Sequence, residues 1–147
     1  MLSDPVARRR ASGLVARQAD RGAGAVPLLL DIIEVHARTL AAVRAGPRRQ
    51  LTDDEKADAA LADAARIGFC RLGPEGSSAL PRLIDLDRQG LLGRTISNDR
   101  KWTLALARLG KPIESFAKPE NLSGTTEAYH ANLRRRLNNF QPDRNCR

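Results

Sequence analysis

Aromatic side chains are almost missing: three Phe, one Trp and one Tyr among 147 residues, 3% of the chain. That is too few to line an aromatic ligand pocket. Cysteine is equally scarce. Cys70 and Cys146 lie far apart in the sequence and make neither a disulfide framework nor a zinc ligand set. The expectation is a buried structural Cys70 and a loose Cys146. No apolar run approaches the ~20 residues of a membrane span. The apolar stretch at 14–16 is too short for a signal-peptide core. Membrane is therefore not an expected partner, and a bacterial cytoplasm, with the protein on the nucleoid, is the expected compartment.

Catalytic signatures are lacking too. There is no G-x-x-x-x-G-K, no H-E-x-x-H and no nucleophile elbow. Asp53, Asp54 and Glu55 form a carboxylate cluster, but no convergent partners accompany them, and acids at a helix start account for them. His36 has no neighbours at metal-ligand spacing and reads as packed or hydrogen-bonded. No enzyme, no metal and no cofactor is expected.

What is abundant is alanine, leucine and arginine, which favours helix. Net charge is +8 and the isoelectric point lies near 10.7. Such an excess suggests a polyanionic partner, nucleic acid before membrane; free use of arginine in a high-GC genome is the competing explanation. Length and an apolar fraction of 41% fit one compact domain with a modest core.

The most informative stretch is 73–106. Ser77 and Ser78 precede an apolar-periodic run and can cap it, and Pro81 falls where a first-turn amide has no partner. Leu80, Leu83 and Ile84 make one buried stripe, with Arg82, Asp85 and Arg88 mostly opposite. Gly90 then stops the helix. Beyond it the period changes to two. Leu92, Arg94 and Ile96 alternate with smaller residues, Asn98-Asp99 can close a tight turn, and Trp102, Leu104 and Leu106 alternate again. This predicts a β-hairpin over 91–106 with Arg100 and Lys101 at its tip.

In order and spacing, RLIDLDRQGLLGR and NDRKWTLALARLG resemble the MarR family of transcriptional regulators, although Lys101 replaces the usual second wing arginine. The resemblance implies a mainly α winged helix-turn-helix with a small β-hairpin wing. It implies one DNA-binding domain over 1–147, a core at about 57–110, and N- and C-terminal helices that dimerise. Ser77, Ser78 and Arg82 would then face the major groove, where a guanidinium can read guanine with both arms. Arg88 and Arg94 would hold flanking phosphates, and Asn98, Arg100 and Lys101 would enter the minor groove. The expected partners are double-stranded DNA and a second copy of the chain on two half-sites. A small-molecule effector is left open.

The rest of the chain reads as helices with one rival pattern. The basic, glycine-containing start at 1–24 holds Arg8, Arg9 and Arg10, read as a frayed terminus ahead of an arm that tracks phosphates. A long helix over 26–45 is apolar around much of its circumference. A helix over 51–72 starts at a capped, acidic turn, a last helix covers 125–140, and 141–147 is expected to be disordered. The segment SFAKPENLSGTTEAYHANLRRRL is similar to an ordinary helix-turn-helix, with Pro119 breaking its first helix. The rival pattern is internal. AVPLLLDII at 25–33 matches ALPRLIDLD at 79–87, and Leu72-Gly73 echoes Leu109-Gly110. This resembles HEAT repeats, whose stacked helix pairs form scaffolds for protein–protein interaction. The two offsets differ, whereas a solenoid keeps a fixed period, so the helical scaffold stands as the alternative. Strand content at 91–106 separates the two: a hairpin supports the wing, and continuous helix over 101–109 supports the scaffold.

Overall fold

The computed structural model describes residues 4–92 and 96–147, with the side chains of Pro5, Arg8, Arg9 and 96–100 outside the description. Seven α-helices are described: α1 (Pro5–Arg17), α2 (Val26–Ala45), α3 (Asp53–Leu72), α4 (Leu80–Arg88), α5 (Ile96–Leu109), α6 (Thr126–Asn138) and α7 (Pro142–Asn145). There is no strand among the described residues. No described helix is long and apolar enough to cross a membrane.

The winged helix is therefore corrected. The expected hairpin is replaced by α5, and Asn98 and Asp99 lie inside that helix rather than at a turn. The cause is visible in the spacing. Trp102, Leu104 and Leu106 alternate, but Trp102, Ala105, Leu106 and Leu109 also satisfy the helical period, and a short apolar run cannot choose between them. Burial chooses: Trp102, Leu104, Ala105, Leu106 and Leu109 are all inside, which a one-sided ribbon does not achieve. The expected glycine stop does hold at α4. Gly90 has φ 73, its N–H donates to the Asp87 carbonyl, and the Leu91 N–H donates to Leu86, closing a Schellman motif.

α3 is the strut of the molecule. Thr52 Oγ1 accepts from the Glu55 N–H while the Glu55 carboxylate accepts from the Thr52 N–H, a complete capping box. Arg49 grips the same carboxylate with both arms at 2.7 Å, which holds the Glu55 carboxyl down at about 2. Leu61, Ala64, Ala65 and Phe69 are buried against α1, α2 and α5, all of which pack on α3. The basic start is thus no frayed terminus: α1 is capped by Asp4 and lies along α3. Between α2 and α3, His36 Nδ1 donates to Asp58 Oδ1 at 2.6 Å, so His36 is a hydrogen-bonded side chain as expected.

Two turn-and-helix units repeat. A 3-10 turn over Gln18–Ala25 leads into α2, and one over Gly73–Ala79 leads into α4. The cap residues Ala25 and Ala79 share φ −79 and ψ −16, and each is followed by Pro27 or Pro81 at the second helical position. Leu29 and Leu83 are fully buried at equivalent places. The cap of α4 is therefore Ala79, not Ser78. α2 packs along the helix that follows it, α3, whereas α5 packs on α3 and on the Gly73–Ala79 turn and touches α4 only lightly.

The C-terminal stretch differs from expectation as well. Cys146 is not loose; it forms a disulfide with Cys70 at the end of α3. Residues 141–147 are ordered through α7 and that bridge. Spacing along the chain carries no trace of the pairing, because it depends on the tail folding back over α3.

Candidate interaction groove

α6 is set on the stack by Leu133, with Tyr129 and Leu137 beside it, and by several polar ties. Thr125 Oγ1 accepts from the Ala128 N–H and caps α6. His130 Nε2 donates to the Phe116 carbonyl at 2.8 Å, and Arg134 pairs with Glu114. A hydrogen bond from its own main-chain N–H, and then Arg134, hold the Glu114 carboxyl below its ordinary value. Leu133 is the buried side chain of the helix. The segment before α6 is closed on itself: Lys118 Nζ donates to the Pro119 carbonyl at 3.2 Å and also to that of Leu122. No helix covers 116–125, so the ordinary helix-turn-helix pattern weighed there as the weaker DNA reader is not formed.

The tail is tied down from the other side. Beside the disulfide, the buried Arg66 guanidinium, 2% exposed, donates to the Arg147 main-chain oxygen at 2.9 Å and to Asp63. Arg108 caps the end of α3 by donating to the Cys70 and Arg71 carbonyls, and its guanidinium stacks 3.9 Å from the Phe140 ring centroid. Burial pulls the Arg108 pKa below its ordinary value. Gly73 lies against this guanidinium with φ 56, and a Cβ there would come within 2.7 Å of it. Arg71 reaches Asp143 on α7.

These ties leave two neighbouring hollows along α6. The larger, about 650 Å³, runs between Thr103 of α5, the 119–123 segment and the Tyr129, Asn132 and Arg136 side of α6. Leu122 and Leu133 supply its apolar lining. The smaller, about 280 Å³, lies between the end of α6 and α7 and is lined by Asn132, Arg135, Arg136, Asn139, Arg144 and Asn145. Asn132 and Arg136 border both. Asn132, Arg136 and Asn139 follow helical spacing, so they fall on one face. No carboxylate lines either hollow, and Arg135, Arg136 and Arg144 have no ion-pair partner among the described residues.

The residues expected to read DNA are distributed otherwise. Ser77 and Ser78 are exposed in the 3-10 turn before α4. Arg82 is half-exposed and pairs with Glu34 of α2 and, at 2.6 Å, with Asp85. Arg88 is exposed at the end of α4. Arg94 lies outside the described residues; Asn98 and Arg100 sit on α5 with side chains outside the description. Lys101 is exposed on α5, not at a ribbon tip. Ser77, Ser78, Arg82 and Arg88 are thus spread along the turn and the length of α4, and the hairpin that was to carry the others is replaced by α5. The Arg134-Arg135-Arg136 run was legible in the sequence, but not that two of the three would face α7 across a recess. No family model, curated protein or solved structure matches this chain.

Proposed function

We propose that the protein is a HEAT-like helical scaffold that mediates protein–protein interaction, the alternative raised by the internal repeat. The observation that carries this reading is the recurrence of one local design: an alanine cap with the same dihedral angles at Ala25 and Ala79, proline at the second helical position, and a fully buried leucine at 29 or 83. A recurring turn-and-helix unit stacked on neighbouring helices is how solenoid modules bury apolar faces that no single unit could bury alone. The continuous helix over 101–109 favours the same side. A disulfide between Cys70 and Cys146 fits an oxidising compartment better than the cytoplasm expected from the sequence.

The test is proximity cross-linking of the tagged full chain in its own cells, followed by nuclease digestion and mass spectrometry. The scaffold reading expects a defined protein partner that survives the nuclease. Recovery of a reproducible duplex sequence in place of a protein would overturn it and return the chain to DNA.

A further inference from the structure

We infer that the α6 face and the α7 recess form a docking groove for an extended acidic peptide segment of a partner protein, an inference that rests on the interaction-scaffold reading and names its site. Charge complementarity points to the occupant. Arg49, Arg66, Arg71, Arg82 and Arg134 each hold a carboxylate of this chain. Arg135, Arg136 and Arg144 hold none and line one recess. Guanidinium groups gathered without a counter-charge repel one another, and a carboxylate-bearing ligand relieves that repulsion through bidentate hydrogen bonds.

The remaining chemistry selects a peptide over other anions. Asn132 and Asn139 stand two helical turns apart on the groove face, about 10 Å along the axis. That separation spans roughly three residues of extended chain. A side-chain amide both donates and accepts, which suits main-chain N–H and C=O groups but gives a phosphate oxygen only a donor. Leu122 and Leu133 add an apolar lining to the larger hollow, suited to a side chain of the docked segment. Nucleic acid fits less well: Tyr129 is the single aromatic residue lining the hollows, and single strands are held on stacking platforms. The fold keeps the recess assembled, because the Cys70–Cys146 bridge and the Arg71–Asp143 pair hold α7, and with it Arg144, opposite α6.

Fluorescence anisotropy on the full oxidised chain tests this with three labelled probes. These are a twelve-residue glutamate-rich peptide, the same peptide with glutamine at each glutamate, and a single-stranded DNA of equal charge. The acidic peptide binds, and the glutamine peptide and the DNA bind at least about tenfold more weakly. Arg135→Glu with Arg136→Glu weakens the acidic peptide about tenfold or more, while Arg38→Glu with Arg88→Glu, the same charge change on α2 and α4, changes it less than about twofold. Asn132→Ala with Asn139→Ala weakens it about threefold at unchanged net charge. Equal losses from the two charge-reversed pairs, tighter binding of the DNA, or no loss from the asparagine pair would each overturn the groove. A cross-linked protein partner retained by the Arg135→Glu, Arg136→Glu chain would overturn this site and leave the scaffold reading standing.

Discussion

The α1–α5 stack and the stretch after Gly110 differ in how much of their hold comes from apolar burial. In the stack, Leu29, Ile33, Ala65, Phe69, Leu83, Leu86 and Leu109 are essentially inaccessible, and the stack supplies most of one apolar core, which Phe116, Leu133 and Cys146 join from the C-terminal side. After Gly110 only Phe116, Leu133 and Cys146 are buried apolar side chains. There Ile113, Tyr129, Leu137 and Phe140 are only partly buried against the core, and a disulfide, His130 on the Phe116 carbonyl, Arg134 on Glu114 and Arg108 on Phe140 add to them. Apolar burial is additive and indifferent to redox state, whereas this second set depends on a few groups. The lesson is that the C-terminal stretch is conditional on its ties, while the stack is not, and the proposed docking groove lies on the conditional part.

Core truncation sets the upper end of that contrast. Leu29→Ala and Leu83→Ala, at equivalent places in the two repeated units, are each expected to cost about 2–5 kcal/mol. Urea titration followed by circular dichroism should show one cooperative transition moved to lower denaturant in both. A biphasic curve in either variant would mean the two units do not share a core.

Cutting the covalent tie comes next. Removing the bridge with Cys146→Ser releases a loop whose ends are 76 residues apart and is expected to cost up to about 4.5 kcal/mol on chain-entropy grounds. Its mark is where the cost falls. Amide exchange should accelerate in α6 and α7 and stay unchanged in the middle of α3. Uniform acceleration would erase the distinction between the two regions.

Arg108 joins the regions, since it caps α3 and stacks on Phe140 at once. Arg108→Ala leaves the Cys70 and Arg71 carbonyls without that donor and is expected to cost about 1–3 kcal/mol. A thermal melt reads the loss, and Phe140→Leu should keep the cap while losing only the ring contact.

The smallest effect concerns Glu55, in the stack but on its surface. Its carboxyl, held at about 2 against an ordinary 4.5, favours the folded state whenever it is ionised. The contribution is complete above the ordinary carboxylate value and is lost as pH falls through about 2. Glu55→Gln should therefore be less stable than the parent at pH 7, with the gap closing on acidification. A gap that persisted at pH 2 would show that the capping geometry, not the charge, carries the effect.

Legibility in the sequence followed the same division. The 26–45 helix was readable in full because Pro27 marks its start and Gly46 follows its end. The start of α3 was readable from Thr52 and the acids behind it, and the stop after α4 from Gly90. The stretch at 96–106 reads as ribbon but is helix, because Trp102, Leu104 and Leu106 fit two periods at once. Around the groove, the arginine run could be seen but its orientation could not. Arg134 turns to Glu114 while Arg135 and Arg136 line the recess, and nothing local distinguishes the three.

Local chemistry, then, was enough for the starts of α2 and α3, the stops after α2 and α4, the cationic excess and the paired Ala-x-Pro-x-Leu units, because each depends on neighbours within a turn or two. Three matters were settled only once the chain had folded back on itself. They are the helical state of 96–109, the partnership of Cys70 with Cys146, and the gathering of Arg135, Arg136 and Arg144 around one recess. Each depends on groups brought together by folding, so no window of sequence contains the information.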